Sequence, residues 1–482
     1  MDTESAWKSY TDEDLAALEK LAGDYIDYIS ENKIEREFAR AAIRDAEAVG
    51  YESLASVYRE GRGLKAGDKV YAQIHGKAVI LAHIGRRPLE QGMNILGAHI
   101  DSPRLDLKQN PLFEANGQAR LDTHYYGGIK KYQWVTVPLA LHGVVAKKDG
   151  TVVDVVIGED ESDPVFCVTD LLIHLASAQM GKNGSEVVEG EDLDVLAGNR
   201  PLVIEVAQGD GADGSDGTDV SKEAAKAEKE PVKAFALRLL GEKYGIEEAD
   251  FLSAEIEVVP AGRARELGFD RSMIIGYGQD DSACAYTSLA AQLAIDTPER
   301  TALCVLVDKE EIGSVGATGM ASQFFENVVA EIMELAGESG DIRLRHALAA
   351  SSMLSSDVSA AFDPAYASVF EAKNAAFLGH GLVFNKYTGA RGKSGSNDAS
   401  AEFVAAIRRI MDDAGVAFQT AELGKVDAGG GGTIAYLPAR YGMNVIDSGV
   451  AVLSMHSPWE VTSKADLYEA YKGYVAFLEN DR

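Results

Sequence analysis

Cysteine, basic residues and long apolar runs are all scarce in this chain of 482 residues. The three cysteines, Cys167, Cys284 and Cys304, are odd in number and scattered, which argues against a disulfide framework and for a reducing compartment. No apolar run reaches the length needed to cross a bilayer. Residues 1–10 lack the basic start and apolar centre of a secretory signal. We therefore expect a cytoplasmic protein.

Positive charge is also in short supply. Lys and Arg number 46 against 76 Asp and Glu, which gives a net charge of −30. A surface this acidic repels nucleic-acid phosphates and anionic lipid, so we expect neither nucleic-acid nor membrane binding. The surplus carboxylates either form a solvated surface or, in part, hold cations. Composition does not distinguish these two explanations, whereas the positions of the carboxylates along the chain do.

The remaining composition is that of a globular protein, with 46% hydrophobic and 25% charged residues. A chain of this length has more residues than a single hydrophobic core usually organises, so two domains are expected. Helical apolar spacing over residues 12–31 and strand-like runs at 69–74, 78–83 and 93–99 open the chain. Strands and helices alternate again from residue 251. This alternation predicts an α/β fold with a doubly wound, mainly parallel sheet flanked by helices.

A β-rich stretch with frequent turn signals interrupts this pattern between residues 104 and 250. It contains a helix-like piece at 170–178 and a low-complexity segment at 208–230, which we expect to be a mobile surface loop. The simplest architecture is a discontinuous catalytic domain, residues 1–103 and 251–482, with the β-rich domain inserted. Within the second part, a strand is predicted at 347–353.

Five segments place His, Asp or Glu at the carboxyl end of an apolar strand or in the turn that follows it. In open α/β sheets the crevice outside these strand ends binds ligands. Charged groups beside buried strands are costly unless they are paired or bound to a cation. The segments carry His99 with Asp101, Asp280 with Asp281, Glu310 with Glu311, Asp357, and His456.

Each segment also has an ordinary structural explanation. A carboxylate near His99 could fix the tautomer of a zinc ligand or be an unrelated neighbour. Asp280 and Asp281 could favour a helix dipole, or one of them could bridge two metal ions. Asp357 could be a cap or turn residue, and His456 a structural histidine.

The adjacent glutamates Glu310 and Glu311 follow the buried run 303–307. Two neighbouring carboxylates at a strand exit can divide the work, one binding metal while the other takes a proton from the attacking water. The alternative is a solvated turn. Spacing alone does not decide any of the five cases.

Read in order, these segments resemble the aspartyl aminopeptidase and aminopeptidase I family of zinc metallopeptidases across nearly the whole chain. The matching stretches are Gly-Ala-His-Ile-Asp-Ser-Pro at 97–103, Lys-Glu-Glu-Ile-Gly-Ser at 309–314, Ser-Ser-Asp-Val-Ser at 355–359 and Leu-Ser-Met-His-Ser at 453–457. The resemblance implies an aminopeptidase with two zinc ions per chain, for which Mn²⁺ or Co²⁺ can substitute. It implies these five metal ligands: His99, Asp280, Glu311, Asp357 and His456.

The resemblance also implies roles for the neighbouring residues. Asp280 bridges the two ions, and it is preferred to Asp281 because the wider clan places the ligand first in its Asp-Asp pair. Asp101 orients His99. Glu310 is the general base for a water activated by the two zinc ions, which hydrolyses the N-terminal residue from peptides with a free N-terminus.

In this family the β-rich insert is a dimerisation domain, and the particles are tetrahedral dodecamers. The resemblance therefore implies a homo-oligomer in which dimers assemble to a dodecamer. His174 matches a histidine that the family sends into a neighbouring protomer's active site. The alternative is a core histidine on an apolar helix face.

Substrate preference is left open between acidic (Asp or Glu) and neutral (Leu-like) N-terminal residues. Family members that prefer acidic residues have a lysine near the position of Asn385 or Lys386. This chain has a basic, glycine-rich stretch there, and four glycines at 429–432. Both segments are predicted to line the pocket, and the predicted substrate contacts are Lys386, Arg391 and His174.

Two other functions fit part of the pattern. One is a related di-metal deacylase or carboxypeptidase-like hydrolase, against which the Ser-Met-His-Ser context and the long insert argue. The other is a catalytically decayed scaffold or cargo protein. Loss of catalytic activity is disfavoured because every expected ligand and the general base are present. A buried carboxylate cluster without metal would also be destabilising.

Overall fold

The computed structural model describes residues 4–203 and 228–481. Two compact units divide the chain, one formed by Met1–Ser102 with Arg263–Arg482 and the other by Pro103–Gly262. Most of the predicted surface loop at 208–230 lies outside the described residues. Among the described residues, no helix combines the length and the apolar character that crossing a membrane requires.

The described α-helices are distributed over both parts of the first unit, with one in the insert. In chain order they are α1 (Asp12–Glu31), α2 (Glu35–Ala48), α3 (Leu54–Glu60), α4 (Pro231–Tyr244), α5 (Gln279–Ala294), α6 (Phe324–Leu335), α7 (Asp341–Ala350), α8 (Ala390–Lys393), α9 (Ala401–Asp413), α10 (Tyr436–Ala439) and α11 (Lys464–Glu479).

The described strands form three sheets. In chain order they are β1 (Glu52–Ser53), β2 (Lys69–Ile74), β3 (Ala78–His83), β4 (Asn94–His99), β5 (Arg104–Ala115), β6 (Gln118–Tyr126), β7 (Leu139–Ala146), β8 (Val152–Ile157), β9 (Cys167–Val168), β10 (Val195–Gly198), β11 (Ala254–Pro260), β12 (Arg265–Leu267), β13 (Met273–Gly276), β14 (Ala302–Val307), β15 (Ser352–Ser356), β16 (Ser359–Ala360), β17 (Leu382–Asn385), β18 (Phe418–Thr420), β19 (Asn444–Gly449), β20 (Ala451–Leu453) and β21 (Glu460–Ser463).

The first unit is built on a nine-stranded sheet in the order β1-β2-β3-β14-β4-β15-β19-β17-β18. Its centre, β14-β4-β15-β19, is parallel. Strands β3, β4 and β14 are buried at every position, as continuous apolar runs in parallel sheets are. Apolar residues from helices pack against both faces of this sheet in two separate clusters. This is the predicted α/β fold, although the sheet also contains antiparallel pairings at β2-β3, β3-β14 and β19-β17.

The second unit is a seven-stranded antiparallel sheet in the order β8-β7-β11-β5-β6-β10-β9. Strand β11 pairs with β7 over seven residues, so the residues after 250 continue the insert up to Gly262. The predicted border at 250/251 therefore falls too early. Periodicity did not reveal the correct border, because a strand after residue 250 fits a β-rich domain and an α/β domain equally well.

Two predicted elements are wrong. The helix-like piece at 170–178 contains only a short 3₁₀ turn at Ile173–Leu175, because its large apolar residues are exposed and only the small Ala176 is buried, so little packing supports a helix. The strand predicted at 347–353 is instead the end of helix α7, followed by β15 from Ser352. The alanines of this stretch favour a helix.

Candidate metal centre

The site lies at the carboxyl end of the parallel strands. His99 is the last residue of β4, and Asp357 follows directly after the neighbouring strand β15. On the other side of β4, strand β14 ends at Val307 and leads into a 3₁₀ turn at Glu310–Ile312. Because parallel strands end at the same edge, side chains from three separated parts of the chain meet there.

Asp280 reaches the same edge from the start of helix α5. The backbone of Asp280 and Asp281 is not helical, and the peptide bond between them is cis. The Ser102 hydroxyl donates a hydrogen bond to the Asp280 carbonyl at 2.7 Å. Regular helix thus begins only after the acidic pair, and the Asp280 side chain is directed to the strand ends.

Five of the predicted residues form two groups that share Asp280. Within each group, one potential ligand atom from every member lies within 4.8 Å of the others. Oδ1 of Asp280 is 3.3 Å from Nε2 of His99, and Oδ2 is 3.1 Å from Nε2 of His456. The two oxygens therefore face different histidines. The groups are His99, Asp280 and Asp357, and Asp280, Glu311 and His456.

Asp101 is fully buried and supports this arrangement. Its Oδ1 is 3.3 Å from Nδ1 of His99, and that ring nitrogen is also 2.9 Å from the Asp101 carbonyl oxygen. The backbone N–H groups of Glu310 and Glu311 donate to its two carboxylate oxygens at 3.1 and 3.2 Å. One carboxylate thus fixes both the His99 ring and the turn that carries the two glutamates.

Glu310 belongs to neither group but faces the same charges. Its pKa is raised to about 7, first by burial and then by the nearby carboxylates of Asp280 and Asp101, while His99 acts in the opposite direction. Cations bound beside it would lower that pKa. Glu310 is therefore a carboxylate placed next to the candidate metal sites without being one of their ligands.

The residues of both groups fit bound zinc. Carboxylate oxygen and imidazole nitrogen are ordinary zinc ligands. Burial raises the pKa of Glu311 and of Asp357 well above the usual range, while hydrogen bonds from His456 and His99 lower the pKa of Asp280 despite its burial. Oε1 of Glu311 is buried and accepts no hydrogen bond from any described residue. Such concentrated buried negative charge is stabilised by cations.

Glu460 is a further residue of the site that sequence reasoning missed. It is 1% exposed. Its Oε1 accepts a hydrogen bond from the backbone N–H of His456 at 2.6 Å, and its Oε2 accepts one from the backbone N–H of Asp280 at 3.0 Å. It therefore joins the segments that carry two of the candidate ligands, His456 and Asp280. The only sequence signal is an acidic residue within an otherwise buried strand.

Replacing Glu460 with Gln is expected to weaken zinc binding by about 10- to 100-fold, the usual effect of removing a partner that orients a ligand. A carboxamide has one acceptor oxygen and presents an N–H₂ group to the second backbone N–H, so one segment shifts. Competition titration of the metal-free protein with zinc and a chromophoric chelator measures the affinity.

Glu469 offers a matched control for this variant. It is also a buried glutamate that accepts a backbone hydrogen bond, from Ala417 at 2.7 Å, but it lies in helix α11. Glu469→Gln should lower thermal stability without changing zinc affinity. Equal zinc affinities for Glu460→Gln and the wild-type protein would contradict the role of Glu460.

Two of the three predicted substrate residues have side chains that the structure describes. His174 is exposed in the second unit. Lys386 is exposed, and its ammonium lies 2.9 Å from Asp398. The side chain of Arg391 lies outside the described part of the chain.

Comparisons of the sequence and of the fold with known proteins point to the same family. The family model described as aminopeptidase I zinc metalloprotease (M18) matches residues 28–478. A probable M18 family aminopeptidase 1 from Clostridium acetobutylicum is 56% identical over 476 residues, covering 99% of this chain and 98% of that protein. The crystal structure of aminopeptidase I from C. acetobutylicum has a TM-score of 0.88 at 54% identity and covers 100% of both chains. An M18-family aminopeptidase from Thermotoga maritima has a TM-score of 0.90 at 42% identity over 99% of both.

Proposed function

The chain belongs to the aminopeptidase I (M18) family of zinc metalloproteases and is a zinc-dependent aminopeptidase, and on this basis we propose that two zinc ions per chain are held by the two ligand groups that share Asp280. In this proposal, His99 and Asp357 complete one site, and Glu311 and His456 complete the other. Peptides with a free N-terminus are the substrates, and one residue is removed at a time.

The observation that carries the proposal is the position of Asp280. Its two carboxylate oxygens face two different histidines at 3.3 and 3.1 Å, and its side chain is 5% exposed. A carboxylate shared in this way suits two neighbouring cations, because each oxygen can serve one of them. Mn²⁺ and Co²⁺ accept the same oxygen and nitrogen ligands and are proposed substitutes for zinc.

When bound, the zinc ions polarise the scissile carbonyl and acidify the attacking water. Glu310 accepts a proton from that water and returns it to the leaving amine as the peptide bond breaks. Asp101 keeps Glu310 in place by accepting hydrogen bonds from the turn that carries it, and it keeps His99 in one tautomer. The acidic surroundings repel a substrate carboxylate, which favours an N-terminus over a C-terminus.

Homo-oligomerisation is proposed on different grounds. Leu172, Ile173 and Leu175 are 58%, 62% and 70% exposed in the described chain, around His174. A run of exposed apolar residues marks an interaction surface. We propose that it packs against another copy, with His174 entering that copy's active site and dimers assembling to a tetrahedral dodecamer. We also propose a cytoplasmic location and substrate contacts from Lys386 and Arg391.

Digestion of a defined peptide tests the proposed activity. The zinc-loaded protein should release the first residue, then the second, and a chelator should abolish release until zinc is restored. The α-N-acetylated form of the same peptide is the matched control and should resist cleavage. Mass spectrometry of timed samples follows both reactions.

Three outcomes would contradict the proposed activity. Release of residues from the carboxyl end would favour the carboxypeptidase-like alternative, and cleavage of the acetyl group would favour a deacylase. Absence of any cleavage by zinc-loaded, folded protein would favour a decayed scaffold.

A further inference from the structure

A buried glutamine lies directly before the candidate shared ligand Asp280 and has no role in the proposed mechanism. Gln279 is 0% exposed. Its Nε2 donates hydrogen bonds to the Glu460 carbonyl at 2.6 Å and to the Ile274 carbonyl at 3.1 Å. Its Oε1 accepts a hydrogen bond from the Tyr25 hydroxyl at 3.4 Å. Burial of an amide is costly unless its polar atoms are paired, and here both the nitrogen and the oxygen have partners.

These hydrogen bonds connect three elements that are separate in sequence. Tyr25 lies in helix α1, Ile274 in strand β13 and Glu460 at the start of strand β21. Strands β13 and β21 are paired, and Gly276 opposite Glu460 is the final pair of their register. The Gln279 side chain therefore holds the end of this pair of strands, together with helix α1, against the start of helix α5.

The strand end that Gln279 holds belongs to the segment that carries His456. Glu460 accepts hydrogen bonds from the backbone N–H groups of His456 and Asp280 through its two carboxylate oxygens. The carbonyl of the same residue accepts the 2.6 Å hydrogen bond from Gln279. Gln279 thus fixes the backbone of the residue whose side chain connects two candidate ligands. Such supporting hydrogen bonds orient metal ligands and tune their affinity.

The two private ligands of the other group are placed by different elements. His99 ends strand β4, and Asp357 follows strand β15. These two strands are paired in the centre of the parallel sheet. The side-chain hydrogen bonds of Gln279 go to helix α1, β13 and β21 instead. Loss of the Gln279 amide should therefore displace His456 more than His99 or Asp357.

We propose that Gln279 is a positioning residue for the zinc site formed by Asp280, Glu311 and His456. It acts through the backbone of Glu460, which keeps the His456 segment at the distance from Asp280 that a shared ion requires. The inference rests on the proposed two-zinc centre and assigns to Gln279 a selective effect on one of its two sites. Because Gln279 is 0% exposed, it does not contact a peptide substrate.

Gln279→Met tests this role, because methionine is also unbranched but cannot donate to the two carbonyls. In a competition titration of the metal-free full chain, one zinc ion should bind about 10- to 100-fold more weakly than in the wild-type protein. The other zinc ion should bind with little change. The zinc concentration for half-maximal peptide hydrolysis should rise by a similar factor, while the KM for the peptide at saturating zinc stays the same.

Gln292→Met is the matched control. Gln292 is a buried glutamine of the same helix α5, at its opposite end. Its Nε2 donates to the Tyr51 hydroxyl at 3.1 Å and to the Ala302 carbonyl at 3.2 Å. It therefore also pairs with a tyrosine and a backbone carbonyl, but away from the ligand groups. Gln292→Met should lower thermal stability and leave both zinc affinities unchanged.

Tyr25→Phe is a milder second variant that decides the matter if Gln279→Met does not fold. It removes only the hydrogen bond to Oε1, so the affinity for the same zinc ion should fall by about two- to tenfold.

Three results would overturn the inference while the wild-type protein still binds two zinc ions. These are wild-type zinc affinities in the folded variant, an equal loss at both sites, and the same selective loss in Gln292→Met. Wild-type protein that binds fewer than two zinc ions would overturn the two-zinc proposal as well.

Discussion

Replacing Glu310 with Gln is expected to lower kcat by about 10²- to 10⁴-fold, the range that general acid–base groups contribute, while zinc stays bound. Glu310 belongs to neither ligand group. The amide keeps the size of the side chain and cannot accept the proton of the attacking water. Because the backbone N–H of residue 310 still donates to Asp101, the turn should keep its shape.

The neighbouring residue provides the control. Glu311→Gln changes the same type of side chain in the same turn, but Glu311 is a proposed zinc ligand, so zinc should be lost along with activity. Steady-state kinetics and metal analysis on both variants separate the two roles. Substantial activity in Glu310→Gln, or loss of its zinc, would show that Glu310 is not the base.

Replacing Asp280 with Asn should disrupt both metal sites at once. The substitution removes the negative charge shared by the two groups and leaves only one oxygen to face His99 and His456. We expect zinc affinity at both sites to fall by more than about 100-fold, the upper end for residues that act only through a ligand, and peptide hydrolysis to become undetectable. Metal analysis after gel filtration and a thermal shift with added zinc measure the loss.

The adjacent Asp281 is the matched control. It is buried, and its Oδ2 accepts a hydrogen bond from the backbone N–H of His99 at 3.3 Å, but it belongs to neither ligand group. Asp281→Asn should therefore reduce stability while most of the zinc is retained. If Asp281→Asn loses the zinc and Asp280→Asn keeps it, the bridging role belongs to Asp281.

The family, the α/β fold and the enzyme class could be predicted from sequence because the candidate ligands follow apolar strands within recognisable motifs. A buried strand such as β14 ends where its apolar run ends, so the polar residues after it are placed at the sheet edge by the fold itself. The order of His99, Glu311 and His456 within short motifs then identified the family. Local residue patterns were sufficient for these conclusions.

Other features depended on contacts that local patterns do not contain. Glu460 supports the site through hydrogen bonds to the backbone of His456 and to that of Asp280, which is distant in sequence. The preference for Asp280 over Asp281 came from resemblance alone, since both are acidic and adjacent. The helix predicted at 170–178 does not form because its large apolar residues are exposed and only Ala176 is buried.

Anomalous diffraction from zinc-loaded crystals, measured above and below the zinc absorption edge, tests the shared-carboxylate site most directly. Two anomalous peaks per chain are expected, one beside His99 and Asp357 and one beside Glu311 and His456, with the Asp280 carboxylate in contact with both. A single peak, or two peaks of which only one contacts Asp280, would contradict the two-zinc centre.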